Sequence, residues 1–249
     1  MNAIETRELT KTYGDFTAVN GLNMTVSEGE LYALLGVNGA GKTTTIKMLT
    51  CLCRPTSGDA LLLGDSIITS RAKVTEKTNV SPQETAVAPN LSVLENLIFM
   101  ARIYGKSESE AKAKSKEIIA SLKLGEVASK KARILSGGWQ RRLSIALALV
   151  SDPKILFLDE PTLGLDVIAR RELWHVIRAL HGKVTIILTT HYLEEAEALA
   201  DRIGIIAHGN LMAEGTAEQL KAIAGTDNFE DAFINIAAGE DADGEASEL

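Results

Sequence analysis

Residues Gly36–Thr43 read GVNGAGKT, a run whose glycines, lysine and threonine are spaced to hold an anion. Gly36, Gly39 and Gly41 let the backbone turn sharply with its N–H groups aimed inward, while Asn38 and Ala40 complete the cradle. Lys42 can reach the β- and γ-phosphates of a nucleotide such as ATP, Thr43 offers a hydroxyl to Mg²⁺, and Thr44 is a further phosphate contact. Position supports the chemistry. The apolar stretch LYALL precedes the loop and the helical TTTIKMLT follows it, so the nest opens at a helix N-terminus where positive potential favours phosphate.

A second chemical feature is KILFLDEP, Lys154–Pro161, in which four apolar residues deliver Asp159 and Glu160 at the carboxyl end of a buried strand. Successive strand residues point in opposite directions, so the two acids divide the work. Asp159 is placed to hold Mg²⁺, and Glu160 to act as the general base on an attacking water.

The stretch LSGGWQRRLSIALALV, Leu135–Val150, stands directly before that acid strand. With it the sequence resembles the ATP-binding subunits of ABC transporters, over nearly the whole span from Leu9 to about Phe233. The family signature reads LSGGQ, with Trp139 here in place of its glutamine. The resemblance implies that Ser136, Gly137 and Gly138 contact nucleotide held by a partner subunit, and small residues at a helix tip suit that role physically. By the same resemblance, Tyr13 in LTKTYGDFTAV is the aromatic that stacks on adenine. Gln83 in NVSPQETAV touches Mg²⁺ or the water, and Asp166 in LGLD crosses the interface beside the opposing loop. His191 in ILTTHYLEEAEALADRIGII holds the γ-phosphate and orients the base. His175, His181 and His208 read as structural or surface residues.

The resemblance implies a head-to-tail homodimer closed by ATP, docked on a separate transmembrane permease at the cytoplasmic face of the membrane. THYLEEAEALADR, the GLD turn and the late FEDAFI stretch look like the exporter branch serving drugs, lipids, polysaccharides or sodium. Importer subunits share all the catalytic motifs, however, and cargo is not encoded in these residues. A regulatory ABC ATPase of a membrane complex that does not transport is the alternative. The DNA-repair, chromosome-maintenance and translation-factor branches carry long insertions or tandem modules that do not fit 249 residues with two cysteines.

The elements needed to position these groups are legible as alternating strands and helices. Apolar runs at Leu31–Leu35, Ile155–Leu158, Val184–Leu188 and Arg202–Ala207 predict a buried parallel or mixed sheet, so the fold class is α/β, a P-loop NTPase core. Ile4–Leu9, Thr17–Val26 and Ala60–Gly64 predict a small antiparallel β subdomain. Asn79–Leu135 predicts an α-helical insert, with a helical subdomain spanning about 83–150 and helices over Ser92–Tyr104 and Ser107–Leu124. Ser92 is the expected N-cap of the first, with Glu95 at the capping-box position. A short helix near Thr216–Ala224 and an apolar stretch Phe229–Ala237 close a single domain over 1–237.

Composition agrees with a globular chain: 45% hydrophobic and 24% charged residues. No uncharged apolar run approaches the roughly 18 residues of a membrane span, and MNAIETRELTK lacks a secretory core, so a cytosolic location is expected. The net charge of −7 sits largely in Glu240, Asp241, Asp243, Glu245 and Glu248, which predicts a disordered acidic tail over 238–249. With no basic field, no nucleic-acid partner is expected. Cys51 and Cys53 are too close for an ordinary disulfide and read as reduced and structural.

Overall fold

A computed structural model describes residues 1–239, so the expected acidic tail lies, from Glu240 onward, outside the described residues. Strands β1 (Asn2–Tyr13), β2 (Phe16–Leu22) and β3 (Thr25–Ser27) open the chain. They are followed by β4 (Leu31–Leu35), α1 (Lys42–Leu49), β5 (Ser57–Leu62), β6 (Asp65–Ser66), α2 (Arg71–Lys77) and β7 (Thr78–Ser81). Then come α3 (Val93–Ile103), α4 (Glu108–Ser121), α5 (Gly137–Leu149), β8 (Ile155–Asp159), α6 (Val167–Arg178) and β9 (Thr185–Thr190). The last elements are α7 (Leu193–Leu199), β10 (Arg202–Ala207), β11 (Asn210–Gly215), α8 (Ala217–Ala224) and α9 (Phe229–Ala237).

Two sheets result. One is antiparallel, ordered β2-β1-β5-β6 with β3 also paired to β1. The other runs β11-β10-β4-β9-β8-β7, parallel except for β11. Every residue of β4, β8 and β9 is buried, because layers cover both faces of the sheet, which is why these strands read as continuous apolar runs rather than alternating ones. Each fully buried Leu or Ile contributes about 1.5–3 kcal/mol.

On one face α1 and the antiparallel sheet pack against Tyr32, Leu34, Phe157 and Ile187. On the other, α3 to α6 close over Leu156, Leu158, Ile186 and Leu188. The α3 and α4 starts are fixed by capping boxes, Ser92 with Glu95 and Ser107 with Glu110, each satisfying two amide donors that helix ends leave over.

The register of the central sheet determines the site. Leu35 lies opposite Thr190, and Thr189 opposite Asp159, so the chain leaves β4, β8 and β9 at one shared carboxyl edge. Ser81 of β7 pairs with Leu158 and brings Gln83 to the same edge two residues later. Here the sheet departs from the sequence reading: Asn79–Ser81, expected to begin the helical insert, forms part of β7. Four residues reading TNVS carry no apolar run, and their strand character comes from long-range pairing with β8. The unassigned stretch Phe229–Ala237 is helix α9, and α2 had no counterpart in the sequence reading. Both cysteines are free, Cys51 buried and Cys53 half-buried. Among the described residues no helix is long and apolar enough to cross a membrane.

Candidate active site

A cavity of about 480 Å³ opens at the carboxyl edge of the central sheet. Asn38, Gly39, Gly41, Lys42, Thr43 and Thr44 form one wall, and Gln83, Glu160 and His191 converge from three other elements. Its loop is shaped by glycine. Gly41 caps α1 with φ 108°, and a Cβ there would strike the carbonyl of Ala18; one on Gly36 would strike the carbonyl of Ile206. Ala40 is buried behind the loop, and its carbonyl accepts a hydrogen bond from the Gly209 amide at 3.2 Å.

Lys42 is almost wholly buried and donates to the carbonyls of Gly36 (2.7 Å) and Val37 (3.1 Å). Its Nζ also lies 3.2 Å from Glu160 Oε1. Oε2 of that carboxylate lies 2.8 Å from His191 Nδ1. Glu160 is thus held between a cation and an imidazole. It stands just past the end of β8 with φ 48°, a left-handed conformation that costs a non-glycine residue on the order of 1–2 kcal/mol. The strand alternation expected from sequence does not aim Glu160; this left-handed turn does. Its amide is anchored on the Thr189 carbonyl and hydroxyl, both at 3.1 Å, which hold the turn in place.

Asp159 sits one layer deeper. Its Oδ1 accepts from Thr43 Oγ1 at 3.1 Å and Thr189 Oγ1 at 2.6 Å. Thr43, Asp159 and the cavity-lining Gln83 make an all-oxygen donor set, the kind that suits Mg²⁺ rather than a softer metal.

Tyr13 does not line the cavity. It pairs with Phe16 across the β1–β2 hairpin, and Phe16, with Ala18, is the aromatic that does. The Lys11 ammonium lies 4.9 Å from the Tyr13 ring centroid, and partial burial, followed by the Cys53 thiol, pushes the phenol up. Sequence reasoning missed Phe16 because the hairpin, not a motif, brings it over the loop.

The signature residues and Asp166 lie away from this cavity. Ser136 and Gly137 are exposed, and although Ser136 is the N-cap of α5, its hydroxyl makes no capping bond. By contrast Asp166 Oδ1 accepts from the amides of Ile168 and Ala169, both at 2.9 Å, and caps α6. Gly138 serves packing too: a Cβ there would come within 3.1 Å of the Ala169 Cβ, so the α5 tip presses on the first turn of α6. Trp139 packs on the core under the Arg142 guanidinium, 4.5 Å from its ring centroid.

Two buried charges were not foreseen. Arg141, inside the signature stretch, forks onto the carbonyls of Pro82 (2.7 Å) and Gln83 (2.6 Å), tying α5 to the segment carrying Gln83. Glu195, fully buried at the start of α7, accepts from Trp174 Nε1 at 2.9 Å. Burial pushes its carboxyl up, opposed by the Thr190 and Thr162 hydroxyls and the Trp174 N–H. His175, His181 and His208 are exposed; His181 lies 2.7 Å from Asp201.

The family described as ABC transporter matches residues 19–163. The chain is 43% identical over 225 residues to the daunorubicin/doxorubicin resistance ATP-binding protein of Streptomyces peucetius, covering 90% of this chain and 68% of that protein. It is 45% identical over 219 residues to the Nod factor export ATP-binding protein I of Burkholderia lata, covering 87% and 72%. Among solved structures, an ATP-binding subunit of an ABC transporter superposes with a TM-score of 0.82 at 26% identity, over 94% of this chain and 99% of that one. A dimeric ATP-binding cassette in a post-hydrolysis state, bound to ADP and Pi, superposes with a TM-score of 0.76 at 26% identity, over 86% and 98%. With the family match over residues 19–163 and relatives 43–45% identical over most of its length, the chain belongs to the ABC transporter family as an ATP-binding, ATP-hydrolysing subunit.

Proposed function

We propose that this ATPase powers export through a separate transmembrane permease, working as a head-to-tail homodimer at the cytoplasmic face of the membrane. One observation carries the reading: Lys42, Glu160 and His191 converge in one cavity, while Ser136, Gly137 and Gly138 lie outside it with the Ser136 hydroxyl uncommitted. A half-site of this kind is completed by a second copy, whose signature helix tip meets the phosphates held by the first. The exporter direction follows the drug-resistance and Nod factor export relatives.

In this scheme the amides of residues 36–44 and Lys42 grip the phosphates, while Phe16, the aromatic on the cavity wall, offers its face to the base and Tyr13 stands beside it on the hairpin. Thr43, Asp159 and Gln83 would hold Mg²⁺, which when bound would neutralise charge on the phosphate oxygens. Phosphate competes with Glu160 Oε1 for Lys42, releasing a carboxylate oxygen to take the proton of the attacking water. His191, on the other oxygen, keeps the carboxylate oriented and reaches the γ-phosphate. Asp166 lies beside the opposing loop. Catalysis is positional and electrostatic.

The test is sedimentation of Glu160→Gln with and without Mg·ATP. Dimer with Mg·ATP and monomer without it, abolished by Ser136→Arg, is the expected result. A Glu160→Gln chain that stays monomeric with its permease present overturns the head-to-tail reading. Export by vesicles holding chain and permease, lost with Lys42→Ala, tests the direction; ATP hydrolysis with no substrate movement overturns it.

A further inference from the structure

Helices α6 and α7 meet in three evenly spaced rungs. The Arg170 guanidinium lies 4.3 Å above the Tyr192 ring, Trp174 Nε1 donates to Glu195 Oε1 at 2.9 Å, and Arg178 Nη2 donates to the Ala198 carbonyl at 2.7 Å. The spacing is four residues on α6 and three along the segment from Tyr192 to Ala198, so one face of each element is held in register with the other.

The two ends of this ladder matter chemically. Its first rung adjoins the reacting groups: the Tyr192 and His191 rings lie 4.2 Å apart, tilted by 39°, and His191 Nδ1 lies 2.8 Å from Glu160 Oε2. The Tyr192 amide donates to Thr190 Oγ1 at 3.0 Å, which fixes the turn carrying His191. On the other side, Arg170 stands one turn into α6, and its amide donates to the Asp166 carbonyl at 2.9 Å. Among the described residues the buried Arg170 Nε has no hydrogen-bond partner, and no acid forms an ion pair with the guanidinium. What holds this cation is therefore the face of Tyr192.

We propose that Arg170 is a positioning residue for hydrolysis: through Tyr192 it sets His191 against Glu160 according to where the first turn of α6 lies. Resting on the head-to-tail reading above, this makes α6 the element by which pairing with a second copy at Asp166 reaches the base within the same chain. Two copies that engage at Asp166 shift the α6 start, Arg170 moves with it, and the Tyr192 ring carries the displacement to the adjoining imidazole. Trp174–Glu195 and Arg178–Ala198 keep the remainder of the two helices fixed, so the displacement is delivered at the first rung.

The test is steady-state ATPase of Arg170→Met. We expect kcat to fall about tenfold with KM for ATP within about twofold, and Arg170→Lys to recover more than half of the deficit. In a His191→Ala background the same substitution is expected to cost less than about twofold, because the residue it acts through is gone. An equal fold-loss with and without His191, or no loss at all, overturns the proposal. If Arg170→Met fails to fold, Tyr192→Leu carries the same expectations. Arg170→Met combined with Glu160→Gln is expected to dimerise with Mg·ATP as Glu160→Gln does; loss of that dimer alone makes Arg170 an interface residue and overturns the positioning role. Should Glu160→Gln itself remain monomeric, the head-to-tail reading fails, while the cycle with His191 still decides the role of Arg170.

Discussion

Lys42 and Glu160 form a buried ion pair, Nζ to Oε1 3.2 Å, with both side chains about 6% exposed. Removing one partner leaves the other charged in a low-dielectric site. Lys42→Ala is expected to destabilise the fold by about 3 kcal/mol, the lower end for an orphaned buried charge because His191 still hydrogen-bonds the carboxylate. Adding Glu160→Gln to the same chain is expected to return much of that stability without returning ATP binding. Denaturant midpoints and nucleotide titration check both; equal stability of Lys42→Ala and the unsubstituted chain contradicts the pairing.

Glu160→Gln alone keeps the shape of the turn and removes the base. Turnover is expected to fall by about 10²- to 10⁴-fold with ATP affinity retained. Near-normal steady-state hydrolysis, measured as phosphate release, removes Glu160 from the role of base.

Gly41→Ala combines a left-handed φ with a Cβ directed at the Ala18 carbonyl. We expect a loss of about 1–3 kcal/mol together with loss of nucleotide binding, since the loop and β2 must separate to accept the methyl group. A chain with unchanged melting and affinity is the outcome that contradicts this geometry.

The fully buried Glu195 gives stability a pH dependence of known sign. Its folded carboxyl is raised above the ordinary range, so the folded chain binds the proton more tightly than the unfolded one. The favourable contribution is complete below the ordinary glutamate pKa of about 4.3 and is lost as pH rises through the raised value. Glu195→Gln, which keeps the acceptor for Trp174, is expected to gain stability relative to the native chain at pH 8, and that gain shrinks as the pH is lowered toward 4.5. A difference in melting temperature that is constant with pH contradicts this.

Phe16 lines the cavity and Tyr13 stands opposite it on the hairpin. Phe16→Ala is expected to raise KM for ATP several-fold with little change in kcat, consistent with a stacking contribution of about 1–3 kcal/mol per base, and Tyr13→Ala to raise it less. Michaelis curves that superpose on the unsubstituted chain exclude base contact.

The sequence reveals those parts of the molecule whose causes are local. Leu31–Leu35 and Ile155–Leu158 announce strands because both faces are covered, and Ser92 with Glu95 announces a helix start because a capping box is complete within four residues. The glycine loop is legible because its chemistry is backbone chemistry. What escapes has distant causes. Thr78–Ser81 is a strand only by pairing with β8, and Phe16 enters the cavity only once β1 and β2 close. Arg141 and Glu195 look like solvated charges on amphipathic helices, and only the packing of α5 on the Pro82–Gln83 segment and of α7 on α6 takes them out of water. Glu160 was identified as a residue but not as a conformation, because a left-handed turn at a non-glycine position has no signature in composition.

The near-contact between Gly138 and Ala169 bears on how such cassettes can be recombined. With only 3.1 Å between a hypothetical methyl at Gly138 and the Ala169 Cβ, the tip of α5 and the opening of α6 behave as a single casting. Transplanting Leu135–Val150 from a relative while keeping the native Val167–Arg178 would mate two surfaces shaped for other counterparts. Chimaeras that exchange both segments together preserve the fit, so the smallest interchangeable cartridge spans residues 135–178 and brings the acid strand along with it.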